Sequence, residues 1–330
     1  MTRELRSPRT SVASIASLAS VLILASSLAL SQTTGAEAQG NAAQTLKLIQ
    51  TGKFKQAYTS IKAMAQAGPR EMSLQYYLGI CAQGVGDKPT AELALTRVIV
   101  GTEANSPYNV NAMLSLQKLQ PTLRPYSCTR AGKSQRWAPQ SMPLKMYITD
   151  GQGVNPNLSG RDLAATEVTQ VVNHVRTGGL HPQAGYKPSF KRAIADGIQV
   201  WDWAIKAKLV NFALVGSPNN ADVIVLYCQR TQEGFGGITV CPPEKGQPCI
   251  VQISLEQAAA LPEAEAFRLI KQRAAVQIGH VMGLARSSSP QDLMYESSQN
   301  PTAVGAAAPS QNDLASLRAL YSMPCDIFFK

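Results

Sequence analysis

The most informative stretch of this chain is residues 279–295, which read GHVMGLARSSSPQDLMY. It follows an apolar pattern typical of a long helix and therefore marks where that helix ends and a turn begins. His280 lies in the stretch and is one of only three histidines among the 330 residues, with His174 and His181. Because imidazole is the commonest metal ligand, this scarcity limits any metal site that the chain can build.

Strand and helix patterns alternate in the residues that lead up to this stretch. Strands are predicted at Leu144–Ile148, Ala221–Tyr227, Gly236–Val240 and Ile250–Leu255, and helices at Phe190–Ala204 and from about Glu263 to Gly283. The run Ala221–Tyr227 is almost continuously apolar, as in a strand that is buried on both faces. The order strand, helix, strands, helix predicts a mixed α/β domain whose chemistry lies on the last helix.

Residues 279–295 resemble the active-site stretch of matrixins, a group of the metzincin zinc metalloproteases. Those enzymes carry His-Glu-x-x-His-x-x-Gly-x-x-His followed by a Met-turn. In this chain His280 falls on the second histidine, Gly283 on the turn glycine and Met294 on the Met-turn. Residues 310–321 resemble the closing helix of the same domain, with Ser310 and Asp313 as a capping box. The resemblance implies a metzincin-like mixed α/β domain over residues 142–330.

The remaining positions of the motif carry residues that do not suit the enzyme. Val276 stands at the first ligand position, Gln277 at that of the general base and Arg286 at the third ligand position. Valine has no ligand atom, a glutamine amide takes up no proton near neutral pH, and arginine places a permanent cation where Zn²⁺ would bind. His280 is then the only possible ligand among these positions. The resemblance therefore implies a pseudo-protease without an intact catalytic residue, for which no cofactor is expected.

Loss of the metal still leaves a way to bind peptides. Matrixin-like domains pair an extended peptide with an exposed sheet edge, which requires no metal, and by resemblance Gly236, Gly237 and Ile238 are a possible peptide-binding edge. The favoured hypothesis is an exported, non-catalytic protein- or peptide-binding or scaffold protein whose partner is unknown. Two alternatives stay open: a divergent zinc-dependent metallopeptidase that performs proteolysis, and a purely structural domain beside functional repeats.

Residues 39–120 contain a pattern that recurs after 34 residues. The equivalent pairs are Gly52 and Gly86, Ala57 and Ala91, and Ile61 and Leu95. This period resembles tetratricopeptide repeats, in which pairs of antiparallel helices stack. We expect a small all-α repeat module, capped by a helix at Val110–Leu119, and thus an α+β multidomain chain. Two repeats imply either a shallow groove for a partner or a module that only covers its neighbour.

The segment 121–141 between the two predicted domains is basic and contains prolines. From Ala104 to Thr149 there are six basic residues and no acidic one. We expect a linker with a solvated basic face. The whole chain has a formal net charge of +10, but it contains no pattern of a nucleic-acid-binding module, so no nucleic acid is expected as a partner.

Residues 1–38 are predicted to be a secretory signal peptide. Arg3, Arg6 and Arg9 precede an apolar stretch without charges, and Ala36-Glu37-Ala38 is a small-x-small cleavage signal. Cleavage would give a secreted or periplasmic protein with no stable membrane span, whereas an uncleaved segment would be an N-terminal anchor.

Export gives the six cysteines a predicted role in disulfide bonds, because in an oxidising compartment an even number of cysteines suggests disulfide bridges. Fifteen pairings are possible, and a turn-rich loop could bring Cys241 and Cys249 together. No Cys-x-x-Cys motif occurs, which argues against a zinc knuckle and a thioredoxin-type redox site.

Overall fold

A computed structural model describes residues 36–242, 246–296 and 306–329. The chain is an α+β protein, in which a helical N-terminal part is followed by mixed sheets and their helices. The predicted signal peptide lies outside the described residues, except for residues 36–38, which begin the first helix. Of the helices in the described part of the chain, none is long and apolar enough to cross a membrane.

The helical part repeats in structure as it does in sequence. Its helices are α1 (Ala36–Gln50), α2 (Phe54–Ala67), α3 (Met72–Val85), α4 (Lys88–Gly101) and α5 (Pro107–Leu119). The starts of α2 and α4 are 34 residues apart. The equivalent residues Ala57 and Ala91 are fully buried, and Gly52 and Gly86 have φ values of +71° and +82°. The 34-residue pattern thus reflects glycine turns followed by small residues at helix contacts.

The segment predicted to be a linker is folded instead. It contains β1 (Thr129–Arg130) and β2 (Lys133–Trp137), and β2 pairs in parallel with β10 (Ile327–Phe329) near the end of the chain. Trp137 is fully buried, and its indole Nε1 donates to the carbonyl oxygen of Val281 at 2.8 Å. The structure therefore differs from the expectation for residues 121–141, because these residues find their partners almost 200 positions later.

The α/β part contains most of the elements that the sequence predicts. Its strands are β3 (Leu144–Ile148), β4 (Gln152–Gly153), β5 (His181–Pro182), β6 (Phe212–Leu214), β7 (Val223–Cys228), β8 (Gly237–Val240) and β9 (Cys249–Ser254); its helices are α6 (Ala165–Thr177), α7 (Ser189–Gln199), α8 (Asp202–Lys206), α9 (Glu263–Val281) and α10 (Gln311–Ser322). The predicted strands and the helix from Glu263 are confirmed to within two residues at each end. The helix predicted over 190–204 is interrupted near Trp201, whose buried indole donates to the carbonyl oxygen of Ala275.

The main sheet has the strand order β6-β3-β7-β9-β8. β6, β3, β7 and β9 are parallel, and β8 runs antiparallel to β9 at the edge. Alternate residues of β7 join different cores: Val223 and Val225 pack with α7 and α9, whereas Ile224 and Leu226 pack with α6. β7 is buried throughout, as its apolar run predicts. This packing places the end of α9 beside β8.

The helical part packs directly on the α/β part. Arg97 of α4 donates to the carbonyl oxygen of Ser322 at 2.8 Å. Val100, also on α4, belongs to the main hydrophobic core, and its carbonyl oxygen accepts from the backbone N–H of Cys128 at 2.9 Å. Removal of the helices would therefore expose part of that core.

Two of the six cysteines form a bridge. Cys241 and Cys249 form a disulfide between the ends of β8 and β9, and Cys81, Cys128, Cys228 and Cys325 are buried free thiols. Burial raises the pKa of the Cys81, Cys128 and Cys228 thiols to about 12. The disulfide expectation is thus confirmed for one pair.

We expect the four free thiols to be unreactive in the folded protein, because the thiolate is the reactive form and these groups are buried with raised pKa values. An aromatic disulfide reagent should therefore detect no thiol in the native protein. In guanidinium chloride without reductant it should detect the four, and all six after reduction. Fewer than four in the unreduced, unfolded chain would contradict the pairing.

Candidate functional site

The candidate site lies at the C-terminal end of α9. Val276 and His280 are four residues apart on this helix and therefore share a face. Met294 is fully buried against the helix, and a Cβ added at Gly279 would lie only 2.2 Å from its sulfur. Glycine at 279 thus permits the loop that carries Met294 to pack on α9.

Gly283 turns the chain out of α9. It has φ +97°, a conformation that side-chain-bearing residues rarely adopt. A Cβ there would also lie 2.2 Å from the carbonyl oxygen of Gln135 on β2. The turn brings Arg286 back towards His280.

The carboxylate of Glu296 lies at the centre of the site. His280 Nε2 is 3.1 Å from Glu296 Oε2, and Arg286 Nε donates to the same oxygen at 3.1 Å. Gln277 Nε2 donates to Glu296 Oε1 at 3.2 Å. The Glu296 side chain is only 8% exposed. We call these four residues, Gln277, His280, Arg286 and Glu296, the Glu296 cluster.

Both ring nitrogens of His280 have partners. Nδ1 lies 2.8 Å from the carbonyl oxygen of Leu284, which only accepts, so Nδ1 carries the proton of that hydrogen bond. Nε2 faces the Glu296 carboxylate, which also accepts when ionised. Full use of both contacts therefore requires an imidazolium that donates from both nitrogens.

The pKa of Glu296 is lower than its usual value. Burial alone would raise it, but the hydrogen bond and charge of His280, together with those of Arg286, outweigh the effect of burial. Glu296 is therefore ionised at neutral pH and neutralises charge that Arg286 brings into the site.

Gln277 connects β8 with Glu296. It is fully buried, and its Oε1 accepts from Thr239 Oγ1 at 2.9 Å while its Nε2 donates to Glu296. A Cβ added at Gly237 would lie 2.8 Å from Gln277 Cγ, so glycine allows β8 to approach α9 closely. The amide is thus used at both ends as a structural link.

Arg286 holds the loop before β8 against the turn after α9. The centre of its guanidinium lies 3.7 Å from the centre of the Phe235 ring, a cation–π contact. Its Nη2 is 3.9 Å from Glu233 Oε2. The side chain is 40% exposed, so water screens its contact with the more exposed Glu233.

These residues do not fit zinc. Protein zinc sites use three or four ligands drawn from Cys, His, Asp and Glu, and in residues 36–242, 246–296 and 306–329 no group of three or more such residues is placed to hold a metal ion. His280 Nε2, which would bind the metal, already faces Glu296. The guanidinium of Arg286 contacts the same carboxylate oxygen and would repel a divalent cation.

Two buried aspartates shape the loop that carries Glu296. Asp313 Oδ2 accepts from the backbone N–H groups of Leu293 and Ser310, each at 2.8 Å. Its Oδ1 accepts from the Tyr126 hydroxyl at 2.8 Å. Asp292 accepts from Ser310 Oγ at 2.6 Å and from the side chains of Asn312 and Ser287. The predicted capping box of Ser310 and Asp313 is confirmed and also anchors this loop.

A cavity of about 320 Å³ opens beside the Glu296 cluster. Its wall includes Ile238, Thr239, His280, Arg286 and Phe329. Two residues that bind the Glu296 carboxylate therefore also border open space.

β8 forms the edge of the main sheet next to this cavity, and in the described part of the chain it pairs only with β9. Ser254 N–H donates to the carbonyl oxygen of Gly236 at 3.0 Å. Because hydrogen-bonded pairs alternate in antiparallel strands, the backbone N–H and C=O groups of Gly237 and Thr239 point away from β9. Of the residues proposed as a binding edge, Gly237 and Ile238 lie in β8 and Gly236 immediately precedes it.

The sequence interpretation missed Glu296 and Thr239. A usable signal for Glu296 was Arg286 itself, because a permanent cation at a position where the motif has a metal ligand favours an acidic partner nearby. The acidic residues within ten positions after it are Asp292 and Glu296. Sequence alone does not choose between these two.

We expect the Glu296 cluster to lose stability in acid. The pKa of Glu296 is lower in the folded protein, so its carboxylate stabilises the fold above the unfolded pKa of about 4.3, and this contribution is lost as the pH falls through the lower folded value. Urea unfolding of the wild type and of Glu296→Gln should differ at pH 7, and the difference should shrink below about pH 4.3. A difference that stays constant down to pH 3 would contradict this role.

In comparisons with known proteins, no protein-family model and no curated protein matches the chain.

Proposed function

We propose that this chain is an exported, non-catalytic, matrixin-like protein that binds a protein or peptide partner. The Glu296 cluster carries the proposal. At the positions where the resemblance implies zinc ligands and a general base, His280, Arg286 and Gln277 instead bind a carboxylate of the chain itself. Atoms engaged in this way are not free to bind a metal or to accept a proton from water. Export rests on the predicted signal peptide, and the Cys241–Cys249 disulfide is compatible with it.

The edge of β8, which in the described part of the chain pairs only with β9, supports peptide binding. An extended peptide can add a strand to such an edge, with main-chain hydrogen bonds supplying affinity and side-chain pockets supplying specificity. The outward backbone groups of Gly237 and Thr239 would form the bonds. The cavity, which Ile238 and Thr239 border, would accept a peptide side chain.

The proposal is tested by selecting binders to the full chain from random decapeptides. A selected peptide is then synthesised, and its affinity is measured by fluorescence anisotropy. We expect saturable binding that is lost when the outward-paired peptide nitrogens are methylated, because methylation removes the strand hydrogen bonds and leaves the protein intact. Thr239→Pro should also abolish binding, because it removes an N–H that points away from β9. Thr239→Ser keeps the hydroxyl that bonds to Gln277 and should bind normally.

Two results would overturn strand pairing with β8. One is binding that persists with the methylated peptide and with Thr239→Pro. The other is that the selection from random decapeptides yields no binder although circular dichroism shows that the protein is correctly folded.

The divergent zinc metallopeptidase is the alternative, and metal analysis distinguishes it. We expect the purified chain to contain no stoichiometric zinc and to cleave none of the selected peptides with or without added zinc, because the Glu296 cluster occupies the site. Stoichiometric zinc with peptide cleavage would replace the proposal by this alternative.

A second candidate places binding on the helical repeats. Val110 and Leu114, one turn apart on α5, are 47% and 52% exposed. Since the helices contribute to the main core, the test is a double substitution, Val110→Lys with Leu114→Lys, in the full chain. A peptide that binds the wild type and Thr239→Pro but not this double variant would place the function on α5.

A further inference from the structure

The donors around Glu296 are held in place without its help. The Gln277 amide is oriented by Thr239 Oγ1 at 2.9 Å, and the His280 ring by the carbonyl oxygen of Leu284 at 2.8 Å. Arg286 is stacked on Phe235. Three nitrogens are therefore aimed at one place by α9, by the turn after it and by the residues around β8.

These nitrogens match a carboxylate. They reach the two oxygens of Glu296 at 3.1–3.2 Å, with His280 Nε2 and Arg286 Nε on one oxygen and Gln277 Nε2 on the other. Hydrogen bonds from charged donors to a carboxylate are about twice as strong as those between neutral groups. Without Glu296, the acidic contact left to Arg286 among the described residues is Glu233, which is 3.9 Å away and largely exposed. The cavity wall also carries Arg130 and Asp162, which pair with each other at 3.0 Å.

Two of the three donors can be reached from outside, whereas Gln277 is fully buried and does not border the cavity. His280 and Arg286 border the cavity of about 320 Å³, as do the apolar side chains of Ile238 and Phe329. This volume lies at the lower end of the range for small-molecule pockets and accommodates an acidic side chain or a chain terminus. The cavity also adjoins the outward edge of β8.

We propose that the cavity is a carboxylate-binding site, in which a carboxylate of a peptide ligand replaces Glu296 on Gln277, His280 and Arg286. Glu296 is then a tethered competitor that occupies the site when no ligand is bound. The inference deepens the proposed function and rests on it for the peptide, whereas the carboxylate site itself rests on the geometry of the donors.

Glu296 competes with any external carboxylate and therefore determines how tightly such a ligand must bind to displace it. A group tethered to the same chain has an effective concentration in the millimolar range or above. A free small carboxylate therefore displaces Glu296 poorly in the wild type, and a peptide needs the added contacts along β8. Removal of Glu296 should expose the intrinsic affinity of the donors.

The first experiment uses sodium propionate and the full-length variant Glu296→Ala. Its Tm should rise by about 3–5 °C at a propionate concentration ten times Kd, relative to sodium chloride of equal ionic strength. The wild-type Tm should not respond, because Glu296 fills the site, and neither should that of Glu296→Ala combined with Arg286→Met. Equal responses to propionate and chloride in Glu296→Ala, or an undiminished response in the double variant, would overturn the carboxylate site.

The second experiment uses the selected peptide. We expect it to bind Glu296→Ala at least tenfold more tightly than the wild type and to lose that gain when its carboxylate is removed. C-terminal amidation tests the terminus, and Asp→Asn or Glu→Gln exchange in the peptide tests the side chains. Glu296→Gln preserves the side-chain volume and should bind the peptide with an intermediate affinity. It keeps the test possible if Glu296→Ala folds poorly.

The two experiments fail separately. A propionate response without peptide binding would leave the carboxylate site standing and refute the binding edge at β8. Peptide binding that is indifferent to Glu296 and to every carboxylate of the peptide would leave the binding edge and refute the carboxylate site.

Discussion

Asp313→Ala is expected to lower the free energy of unfolding by about 3–5 kcal/mol, because it removes the charged acceptor of three hydrogen bonds. Asp313 is fully buried, and its carboxylate accepts hydrogen bonds from the N–H groups of Leu293 and Ser310 and from the Tyr126 hydroxyl. Alanine would leave the buried N–H of Leu293 and the partly buried N–H of Ser310 and hydroxyl of Tyr126 without this acceptor. A buried donor left unsatisfied costs about 1–3 kcal/mol. Urea unfolding followed by circular dichroism measures the loss.

Asp162→Ala is the matched control for this change. Asp162 pairs with Arg130 at 3.0 Å, but both side chains are more than half exposed, at 57% and 60%. Exposed ion pairs of this kind contribute about 0.2–1 kcal/mol. A loss below about 1 kcal/mol for Asp313→Ala, equal to that of the control, would contradict the role of Asp313 as the anchor of the loop.

The parts of the candidate site that the sequence predicts are those that lie outside the loop carrying Glu296 or pack directly on α9. Neither Gly279 nor Gly283 leaves room for a Cβ, which would meet Met294 at position 279 and the backbone of Gln135 at position 283. The positive φ of Gly283 is a local requirement, whereas its contact with Gln135 comes from β2, far away in the sequence. What the sequence shows of these requirements is the spacing of glycine and methionine. Gly283 and Met294 were identified through the resemblance of residues 279–295 to the matrixin stretch, at the spacing of that motif.

Glu296 shows no such spacing in the sequence. Its position depends on the loop that Asp292 and Asp313 shape through hydrogen bonds to backbone and side-chain groups around α10. These contacts follow no helical or strand period. Charge balance with Arg286 narrows the choice to two acidic residues, and only the folded loop decides between them.

Residues 121–141 show that composition also fails to predict contacts between residues that are far apart in the sequence. Basic residues and prolines indicate a solvated connection, yet Arg136 is buried and donates to the carbonyl oxygens of Trp137 and Met323. Its guanidinium also lies over the rings of Tyr321 and Phe328. The partner strand β10 is far away in sequence, and composition carries no information about such a pairing.

Gly283→Ala is expected to lower the free energy of unfolding by about 2–5 kcal/mol. A left-handed backbone costs a residue with a Cβ about 1–2 kcal/mol, and φ at Gly283 is +97°. Overpacking adds about 1–3 kcal/mol where the neighbour does not yield. The neighbour is the backbone oxygen of Gln135, 2.2 Å from the added Cβ, and Gln135 is held in β2 by its pairing with β10.

Gly178→Ala separates the two causes, because Gly178 also has a positive φ, +79°, but a Cβ there would meet nothing within 4 Å. It should cost only the conformational part, about 1–2 kcal/mol. Arg286→Met tests what the turn supports, since it removes the guanidinium and keeps Gly283. If the packing of β2 on α9 holds the turn and the ion pair of Arg286 with Glu296 only adds to it, Arg286→Met should lower the free energy of unfolding less than Gly283→Ala does. Urea unfolding measures both losses. The reverse order would mean that the charge of Arg286, and not the glycine, holds the chain in its turn towards Glu296.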